Sequence, residues 1–232
     1  MIYRENINKF VRRITLAEKI TAKDLYEIIY RIRDVMKENE KYLTDLDAAI
    51  GDADHGVNMV RGFNLATERL KDIDPNNTDV GTVLQTAGMA ILETVGGAAG
   101  PLYGMWFMQM GMAAGNIKEI DKEALAKILE TGLETVKTTG GGTQVGDKTM
   151  VDALEPAVNA LKEAAGNPNN SLVEALEKAV KAAEEGMKST IPLIAKKGRA
   201  SYLGERSKGH QDPGATSTYL ILKTIYEYVK SK

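Results

Sequence analysis

The sequence contains no cysteine, and this absence excludes disulfide bonds, thiolate zinc sites and cysteine nucleophiles. It also lacks a strong excess of charge, because 30 basic and 32 acidic residues leave a formal net charge of -2. Such a balance argues against nucleic acid or an anionic membrane as the main partner. Ion chemistry must therefore come from local clusters of charge, to which the chain contributes only two histidines.

Long apolar runs are also scarce. One segment, residues 94–117, lacks charge over a length that would span a bilayer. It contains six glycines and Pro101, which favours a glycine-rich loop leading into a buried helix. The first 20 residues are rich in Arg, Lys and Glu and lack the apolar core of a signal peptide. We therefore expect a cytoplasmic protein without a membrane partner.

Strand-like alternation is nearly absent, whereas apolar residues recur at the three- and four-residue spacing of a helix face. The stripes cover residues 25–36, 59–70, 80–95, 105–112, 125–136, 150–161, 172–187 and 218–229. This pattern predicts an all-α antiparallel helical bundle or barrel. The length suits one domain over residues 21–232, preceded by an N-terminal helix or arm over residues 1–20.

Helix start signals agree with these stripes. Ser171 followed by Glu174 is a capping box, in which each side chain satisfies a backbone amide of the other residue. Thr21 with Asp24 is a weaker version, and Asp121 is placed to cap the helix after it.

Four connections are rich in glycine and charged residues, namely residues 44–56, 95–104, 138–148 and 198–214. Binding and catalytic groups usually lie on such loops, held by a rigid scaffold. The intervening helices are long enough to return all four connections to one end of a bundle, and we expect the functional site there.

The first connection carries three carboxylates within eight residues, Asp47, Asp52 and Asp54, separated by Gly51. Two like charges ~4 Å apart repel by roughly 4 kcal/mol at an effective dielectric constant near 20. Convergence of three therefore requires a cation, and magnesium prefers carboxylate oxygens. The alternative is a solvated, Asp-rich helix cap. An EF-hand is disfavoured because the twelfth position counted from Asp52 is Phe63, not Glu.

His55 follows the acids directly, and it suits either a contact to phosphate or metal or a capping role at the start of the next helix. Residues 96–101 expose backbone before a helix, which suits an anion, although glycine also permits tight packing. Residues 138–149 resemble a P-loop but fail the pattern, because Asp147 precedes Lys148 and no strand comes before them. We reject a Walker A motif and keep a loop near phosphate or base.

The last connection concentrates Arg, Lys and His among glycines. Arg199 is the better candidate for binding phosphate oxygens, whereas Arg206 suits a structural pair with Glu205 on the surface. Residues 212–214 read Asp-Pro-Gly, which is turn chemistry before the last helix.

These segments, in this order, resemble the ADP-binding subunit of dihydroxyacetone kinase, which is also the C-terminal domain of the ATP-dependent enzymes. The matching strings are residues 42–59, 96–104, 146–150 and 198–217, so the resemblance covers essentially residues 40–230. It implies an eight-helix antiparallel barrel with the nucleotide at one end. One departure is Ala99, where the family usually carries Ser, so a hydroxyl donor to phosphate is lost.

The resemblance also assigns site residues. It implies that Asp47, Asp52 and Asp54 hold two magnesium ions that bridge to the phosphates of ADP or ATP. The remaining matches to the family's nucleotide contacts are His55, Gly56 and Asn58 on the phosphate side, Ala98 and Ala99 in the glycine loop, Gly141 and Met150 nearer the base, and then Arg199, Asp212, Pro213 and Gly214. Arg199 is the residue expected to stabilise charge in the transition state.

The function that this resemblance implies needs partner subunits. ADP is retained as a coenzyme, a phosphocarrier M subunit recharges it to ATP, and the chain docks on a K subunit that holds dihydroxyacetone. Two alternatives stay open at this point: a paralogous kinase subunit for another small ketose or polyol, using free ATP, and a nucleotide-sensing regulator without catalysis. The sequence also leaves a homodimer open.

Overall fold

A computed structural model describes residues 18–232. Within that range the chain forms nine α-helices, one 3₁₀-helix and a two-stranded sheet of four residues, which confirms the all-helical prediction. The elements are β1 (Ile20–Thr21), α1 (Ala22–Glu38), α2 (Glu40–Ile50), α3 (His55–Leu70), α4 (Val80–Thr94), α5 (Ala99–Ala114), β2 (Glu119–Ile120), α6 (Lys122–Thr139), α7 (Val151–Ala165), α8 (Leu172–Ser189), the 3₁₀-helix (Arg199–Ser207) and α9 (Pro213–Lys230). The helix or arm predicted for residues 1–20 falls almost entirely outside the described residues.

Side-chain caps fix where several helices begin. The Asp24 amide donates to Thr21 Oγ1 at 3.1 Å, and the Thr21 amide donates to the Asp24 carboxylate at 2.8 Å. The same reciprocal pair joins Ser171 and Glu174, at 3.1 and 2.7 Å. Asp121 accepts from the Ala124 amide at 2.8 Å. All three predicted caps are therefore present, and each satisfies a backbone amide that the first helical turn leaves without a partner.

Eight of the helices pack in a closed cycle. α1 contacts α3, each helix from α3 to α9 contacts the next one, and α9 returns to contact α1. The apolar stripes of these helices meet in one large cluster, which includes the edge-to-face ring pairs Phe63–Phe107 and Trp106–Phe107. This arrangement leaves the connections free to form a site at one end of the cycle.

The uncharged segment over residues 94–117 has the predicted form of a glycine-rich loop followed by a helix, α5. Within residues 18–232, the structure contains no helix with the combination of length and apolarity needed to cross a bilayer. Glycines of α4 and α5 instead allow these two helices to pack closely. A Cβ atom at Gly88 of α4 would lie 2.6 Å from the Met108 amide and 2.8 Å from the Gly104 carbonyl oxygen of α5. The backbones of α4 and α5 therefore approach more closely than side chains would permit.

The connections predicted to be irregular are partly helical: the second contains the start of α5, the fourth contains the 3₁₀-helix, and the first contains the end of α2. Residues 44–56 were expected to be irregular, but α2 continues to Ile50, so that only the segment Gly51–Asp54 lies between helices. Leu43 and Ile50 are buried, and together they give this short helix an apolar face. The consequence is that Asp47 lies in the last turn of a helix, where its position is more firmly fixed than in a loop.

Candidate functional site

The four glycine-rich connections meet around one cavity of about 450 Å³. Its lining includes Asp47, Asp52, Asp54 and His55 from the first connection, Gly96, Gly97, Ala98 and Ala99 from the second, Gly140, Thr143 and Lys148 from the third with Thr149 and Met150 directly after it, and Arg199, Asp212, Pro213 and Gly214 from the fourth with Lys197 directly before it. Helix packing thus brings together residues that are separated by up to 167 positions in the sequence (47 to 214).

The three acids form a single cluster at this cavity. One carboxylate oxygen from each of Asp47, Asp52 and Asp54 lies within 4.8 Å of the others. No other group of three or more His, Cys, Asp or Glu side chains in residues 18–232 has such a spacing. The acids that were predicted to converge lie together in the structure, with Asp47 buried and Asp52 and Asp54 exposed.

Backbone geometry builds the cluster. Asp47 Oδ2 accepts hydrogen bonds from the amides of Asp54, at 2.9 Å, and His55, at 3.1 Å, so the buried Asp47 carboxylate holds the loop in place. Ala53 has φ 61°, the left-handed conformation, and turns the chain between the two remaining acids. A Cβ atom at Gly51 would lie 2.1 Å from Asp47 Oδ1, so only glycine fits there.

The electrostatics of the cluster favour a divalent cation. Only one basic side chain pairs with an acid of the cluster among the described residues: Arg199 Nε lies 2.9 Å from Asp52 Oδ2. Three carboxylates and one guanidinium leave an excess of negative charge. Hard oxygen donors of this kind suit Mg²⁺, which keeps water ligands that phosphate oxygens replace. The donor set therefore fits magnesium.

His55 opens α3 and is buried. Its Nε2 atom lies 2.9 Å from Ser217 Oγ of α9, so the ring bonds to another helix rather than capping its own. Burial lowers the pKa of His55 to about 4, although the nearby charges of Asp47 and Asp54 act to raise it. The imidazole is therefore neutral at pH 7.

Sequence reasoning missed Tyr103, a residue of α5 that lines the cavity and whose hydroxyl bonds to α9. Its hydroxyl lies 2.7 Å from Ser217 Oγ and 2.9 Å from Thr218 Oγ1, and it donates to the Gly214 carbonyl oxygen at 2.8 Å. Burial raises the pKa of Tyr103, so the hydroxyl stays protonated. Ser217 also bonds to His55, so one buried network links the starts of α3 and α9 through a tyrosine of α5. In the sequence, the run of hydroxyl residues Thr216–Thr218 was the signal that could have indicated this network.

Sequence reasoning also missed the structural role of Lys148. It is only 1% exposed, and its ammonium group donates to the carbonyl oxygens of Thr190, at 2.6 Å, Leu193, at 3.3 Å, and His210. Burial lowers the pKa of Lys148, while Asp212 and Asp152 act to raise it. The side chain thus ties the third connection to the chain just after α8 and to the fourth connection, rather than reaching for phosphate as a P-loop lysine does.

Asp212 caps α9, since its carboxylate accepts from the Ala215 amide at 2.7 Å. Burial raises the pKa of Asp212 to about 7, against the opposing effect of that hydrogen bond. Pro213 follows at the first helical position, where its missing N–H is not needed. The predicted Asp-Pro-Gly turn is therefore the N-terminus of a helix that opens on the cavity.

Three of the predicted site residues do not line the cavity. A Cβ atom at Gly56 would lie 2.1 Å from the Glu40 carbonyl oxygen, so this glycine permits the contact between α2 and α3. Asn58 is buried one turn into α3. Gly141 has φ 67° and stands beside the cavity residue Gly140, and its carbonyl oxygen accepts from Lys197 Nζ at 2.9 Å. Lys197 does line the cavity, and the sequence reasoning did not single it out.

Comparison with known proteins decides the family. A model of the DAK2 domain matches residues 49–227, which is most of the chain and includes most of the residues around the cavity. The chain belongs to the DAK2 domain family.

Other members of this family are kinases or kinase subunits by name. The chain is 43% identical over 195 residues to the PEP-dependent dihydroxyacetone kinase, ADP-binding subunit DhaL, of Escherichia coli K12. The aligned residues make up 84% of this chain and 91% of that one. The chain is also 32% identical over 208 residues to the L-erythrulose 1-kinase of Mycolicibacterium smegmatis, which covers 90% of this chain and 36% of that protein.

A solved structure shares the fold. The crystal structure of the dihydroxyacetone kinase from C. freundii in complex with AMP-PNP and Mg²⁺ matches with a TM-score of 0.64 and 27% sequence identity. The match covers 88% of this chain and 33% of that chain, so this DAK2 protein corresponds to about a third of that kinase. The all-helical prediction and the resemblance to dihydroxyacetone kinase are both confirmed.

Proposed function

We propose that this protein is the ADP-binding subunit of a phosphotransferase-dependent dihydroxyacetone kinase. The observation that carries the proposal is the convergence of three carboxylates within 4.8 Å of one another at a cavity that also receives Arg199 and two glycine loops. The alignment with the E. coli relative covers most of that protein's length, and its name describes an ADP-binding subunit. The C. freundii structure contains a nucleotide analogue with magnesium. Both support the same reading of the cavity.

In this proposal Asp47, Asp52 and Asp54 hold two magnesium ions. Bound magnesium neutralises the phosphates and fixes their orientation. The chain's own contribution is rigidity: the amides of Asp54 and His55 fix the Asp47 carboxylate, so the acids are placed before the ligand arrives. Such preorganisation is the main demand of phosphoryl transfer, because little covalent chemistry is left to the protein.

The nucleotide lies along the cavity, whose volume of about 450 Å³ is within the usual range for ligand sites. The phosphate side is formed by His55 together with Ala98 and Ala99 at the start of α5, and Gly56 and Asn58 support it from positions in α3 that do not line the cavity. Helix N-termini of this kind favour anions. The base side is formed by Met150 and the turn containing Gly141. Asp212, Pro213 and Gly214 complete the wall between them.

The transfer itself needs partners. A phosphocarrier M subunit with an active histidine recharges ADP to ATP, and a K subunit presents dihydroxyacetone. We place the protein in the cytoplasm and treat residues 21–232 as its single nucleotide-binding domain.

In this domain we expect Arg199 to bind two groups, one after the other. It pairs with Asp52 in the structure described here, and its side chain, 65% exposed, is free to move to a phosphate oxygen when charge develops in the transition state.

Replacing Arg199 with alanine is expected to lower the rate of phosphoryl transfer about 10- to 100-fold, the usual cost of losing a hydrogen bond between charged groups. The measurement is the rate with saturating partner subunits and dihydroxyacetone. Arg206→Ala is the matched control, because Arg206 is an exposed arginine of the same 3₁₀-helix and lies outside the cavity lining. Equal rates for Arg199→Ala and the control would exclude the proposed role.

Replacing Tyr103 with phenylalanine is expected to weaken ADP binding about tenfold, since the change removes the hydroxyl that joins Gly214 to Ser217 but keeps the ring packed. Isothermal titration calorimetry measures the affinity. Tyr26→Phe serves as control, because the Tyr26 hydroxyl contacts only Tyr30, away from the cavity. An affinity unchanged in both variants would mean that the network does not position the site.

Two experiments test the function as a whole. Native mass spectrometry of the purified protein is expected to show retained ADP and magnesium, and a protein free of nucleotide contradicts the coenzyme role. Reconstitution with K and M subunits is expected to phosphorylate dihydroxyacetone. The match to an L-erythrulose 1-kinase favours one second candidate, transfer to another small ketose. A K subunit that accepts L-erythrulose but not dihydroxyacetone would decide for it.

A further inference from the structure

Two lysines line the nucleotide cavity, and the structure gives them different surroundings. Lys148 is buried, and three carbonyl oxygens hold its ammonium group. Lys197 is only partly buried, and its ammonium group donates to one carbonyl oxygen, that of Gly141, at 2.9 Å. Among residues 18–232 no acid forms an ion pair with Lys197. Because an ammonium group carries three donors, Lys197 keeps a positive charge and free N–H groups at the edge of the cavity.

The backbone on both sides of Lys197 is held in place. The Lys196 amide donates to the Asp147 carbonyl oxygen at 3.1 Å, and the Gly198 carbonyl oxygen accepts from the Ser201 hydroxyl at 2.6 Å. These bonds fix the point from which the Lys197 side chain starts. Its flexible four-carbon stem, in contrast, allows the ammonium group to change partner.

Neighbouring side chains of this segment reach different places. Lys196 extends to Asp147, with 3.5 Å between its ammonium nitrogen and a carboxylate oxygen, and it does not line the cavity. Lys197 and Arg199 both line the cavity. Arg199 reaches the acid cluster, whereas Lys197 reaches the turn containing Gly141. The two cationic side chains therefore serve the metal side and the base side of the cavity.

Lys197 also joins two walls of the cavity. Gly141 lies 56 positions before it, in the third connection, and the adjacent residue Gly140 lines the cavity together with Thr143. The Lys197 side chain starts beside the fourth connection and ends on the third, so it crosses the rim on the side that we assign to the base. A nucleotide that leaves past this side must move the lysine away.

We propose that Lys197 is a further nucleotide-binding residue, which closes over bound ADP and slows its release. This role rests on the proposed function, since it takes ADP as the occupant of the cavity. The ammonium group donates to a phosphate oxygen that lies between the metal side and the base, which is an oxygen of the α-phosphate. A bond between two charged groups is stronger than the bond to the Gly141 carbonyl oxygen, so the lysine changes partner when ADP binds. The apolar stem of Lys197 covers the adenosine.

A contact that forms after the ligand has entered acts mainly on dissociation. Loss of the Lys197 contact is therefore expected to raise the dissociation rate constant of ADP about tenfold, as for one hydrogen bond between charged groups. The association rate constant is expected to stay within about threefold of the wild-type value.

The test loads the full chain with magnesium and radiolabelled ADP and follows release of the label after a chase with unlabelled ADP, while calorimetry gives the affinity. Lys197→Met keeps the length of the stem without the ammonium group and is expected to release ADP about tenfold faster. Lys197→Arg keeps the charge and is expected to restore most of the slow release. Lys197→Gln keeps only a neutral donor for the Gly141 carbonyl oxygen and is expected to release ADP as fast as Lys197→Met.

Lys196→Met is the matched control, because it removes the neighbouring ammonium group, which faces Asp147 instead of the cavity. It is expected to release ADP at the wild-type rate. Circular dichroism confirms that each variant folds.

Four outcomes overturn the role of Lys197: wild-type release from Lys197→Met, equal acceleration in Lys196→Met, slow release in Lys197→Gln, and association and dissociation raised by the same factor in Lys197→Met. The last outcome would mean that the side chain obstructs the rim without contacting the nucleotide. A wild-type protein that does not bind ADP contradicts the proposed function and the role of Lys197 together. A wild-type protein that holds ADP no longer than Lys197→Met does contradicts the role of Lys197 alone.

Discussion

Asp52→Asn is expected to weaken magnesium-dependent ADP binding at least about 100-fold. The substitution keeps the shape of the side chain but removes a negative charge and an anionic ligand from the cluster. Loss of an outer-shell partner alone costs roughly 10- to 100-fold in metal affinity, so loss of a direct ligand costs at least the upper end of that range. Calorimetric titration with ADP, with and without magnesium, measures the effect.

Asp52 is the right acid to change because its role is separable from folding. Asp47 also accepts two backbone amides, so its variants would disturb the loop. The Asp52 side chain is 38% exposed, and its one ion pair is with an exposed arginine. Asp45→Asn is the matched control, since Asp45 is an exposed acid of α2, the helix that ends just before Asp52, and it pairs with Lys41 outside the cluster. Unchanged ADP affinity in Asp52→Asn, or equal losses in both variants, would refute the metal site.

The second large effect is on stability. Lys148→Met is expected to lower the free energy of unfolding by about 3–5 kcal/mol, because the change leaves three carbonyl oxygens without their donor in a buried place. Methionine has a similar length. Because lysine and methionine both carry a Cβ atom, the energetic cost of φ 62° at this position is the same in the wild-type protein and in the variant. Urea denaturation followed by circular dichroism measures the change.

Lys196→Met is the control for this prediction. Lys196 is exposed, and its ammonium group lies 3.5 Å from an Asp147 carboxylate oxygen, so its contribution is that of a surface ion pair, at most about 1 kcal/mol. If Lys148→Met were no more destabilising than Lys196→Met, the buried ammonium would not be what joins the third and fourth connections. Because those connections form two walls of the cavity, we also expect Lys148→Met to lose ADP affinity.

The helical fold could be predicted because its signals are local. Apolar residues recur within a few positions of one another, and caps such as Ser171 with Glu174 lie three residues apart. The first connection was expected to be irregular, but much of it belongs to α2, a short helix whose second half carries Asp45 and Asp47, so its apolar face was too small to stand out against the loop signal. Here burial of Leu43 and Ile50 in the tertiary structure outweighed local composition.

The residues of the site likewise fall into those with a local signal in the sequence and those without one. Asp47, Asp52 and Asp54 could be found because three acids fall within eight residues. Lys148 and Tyr103 could not, since the groups that give them meaning lie far along the chain: Lys148 bonds to a carbonyl 62 residues away, and Tyr103 to a hydroxyl 115 residues away. No local pattern records such a contact, and a lysine beside an aspartate gives no sign that it is buried.

The directions of the helices around the cavity have an electrical consequence. α2 ends at the cavity, whereas α3, α5 and α9 begin there. The partial negative charge of the α2 C-terminus therefore adds to the acids, whereas the N-terminus of α3 donates its amides to Asp47 and the N-termini of α5 and α9 bring partial positive charge to the cavity from other connections. A cation and an anion entering together match this polarity, whereas an anion entering alone faces repulsion from the acids. Their affinities are then thermodynamically linked, so that a chelator that strips the metal is expected to weaken nucleotide binding by the same factor by which ADP strengthens metal binding.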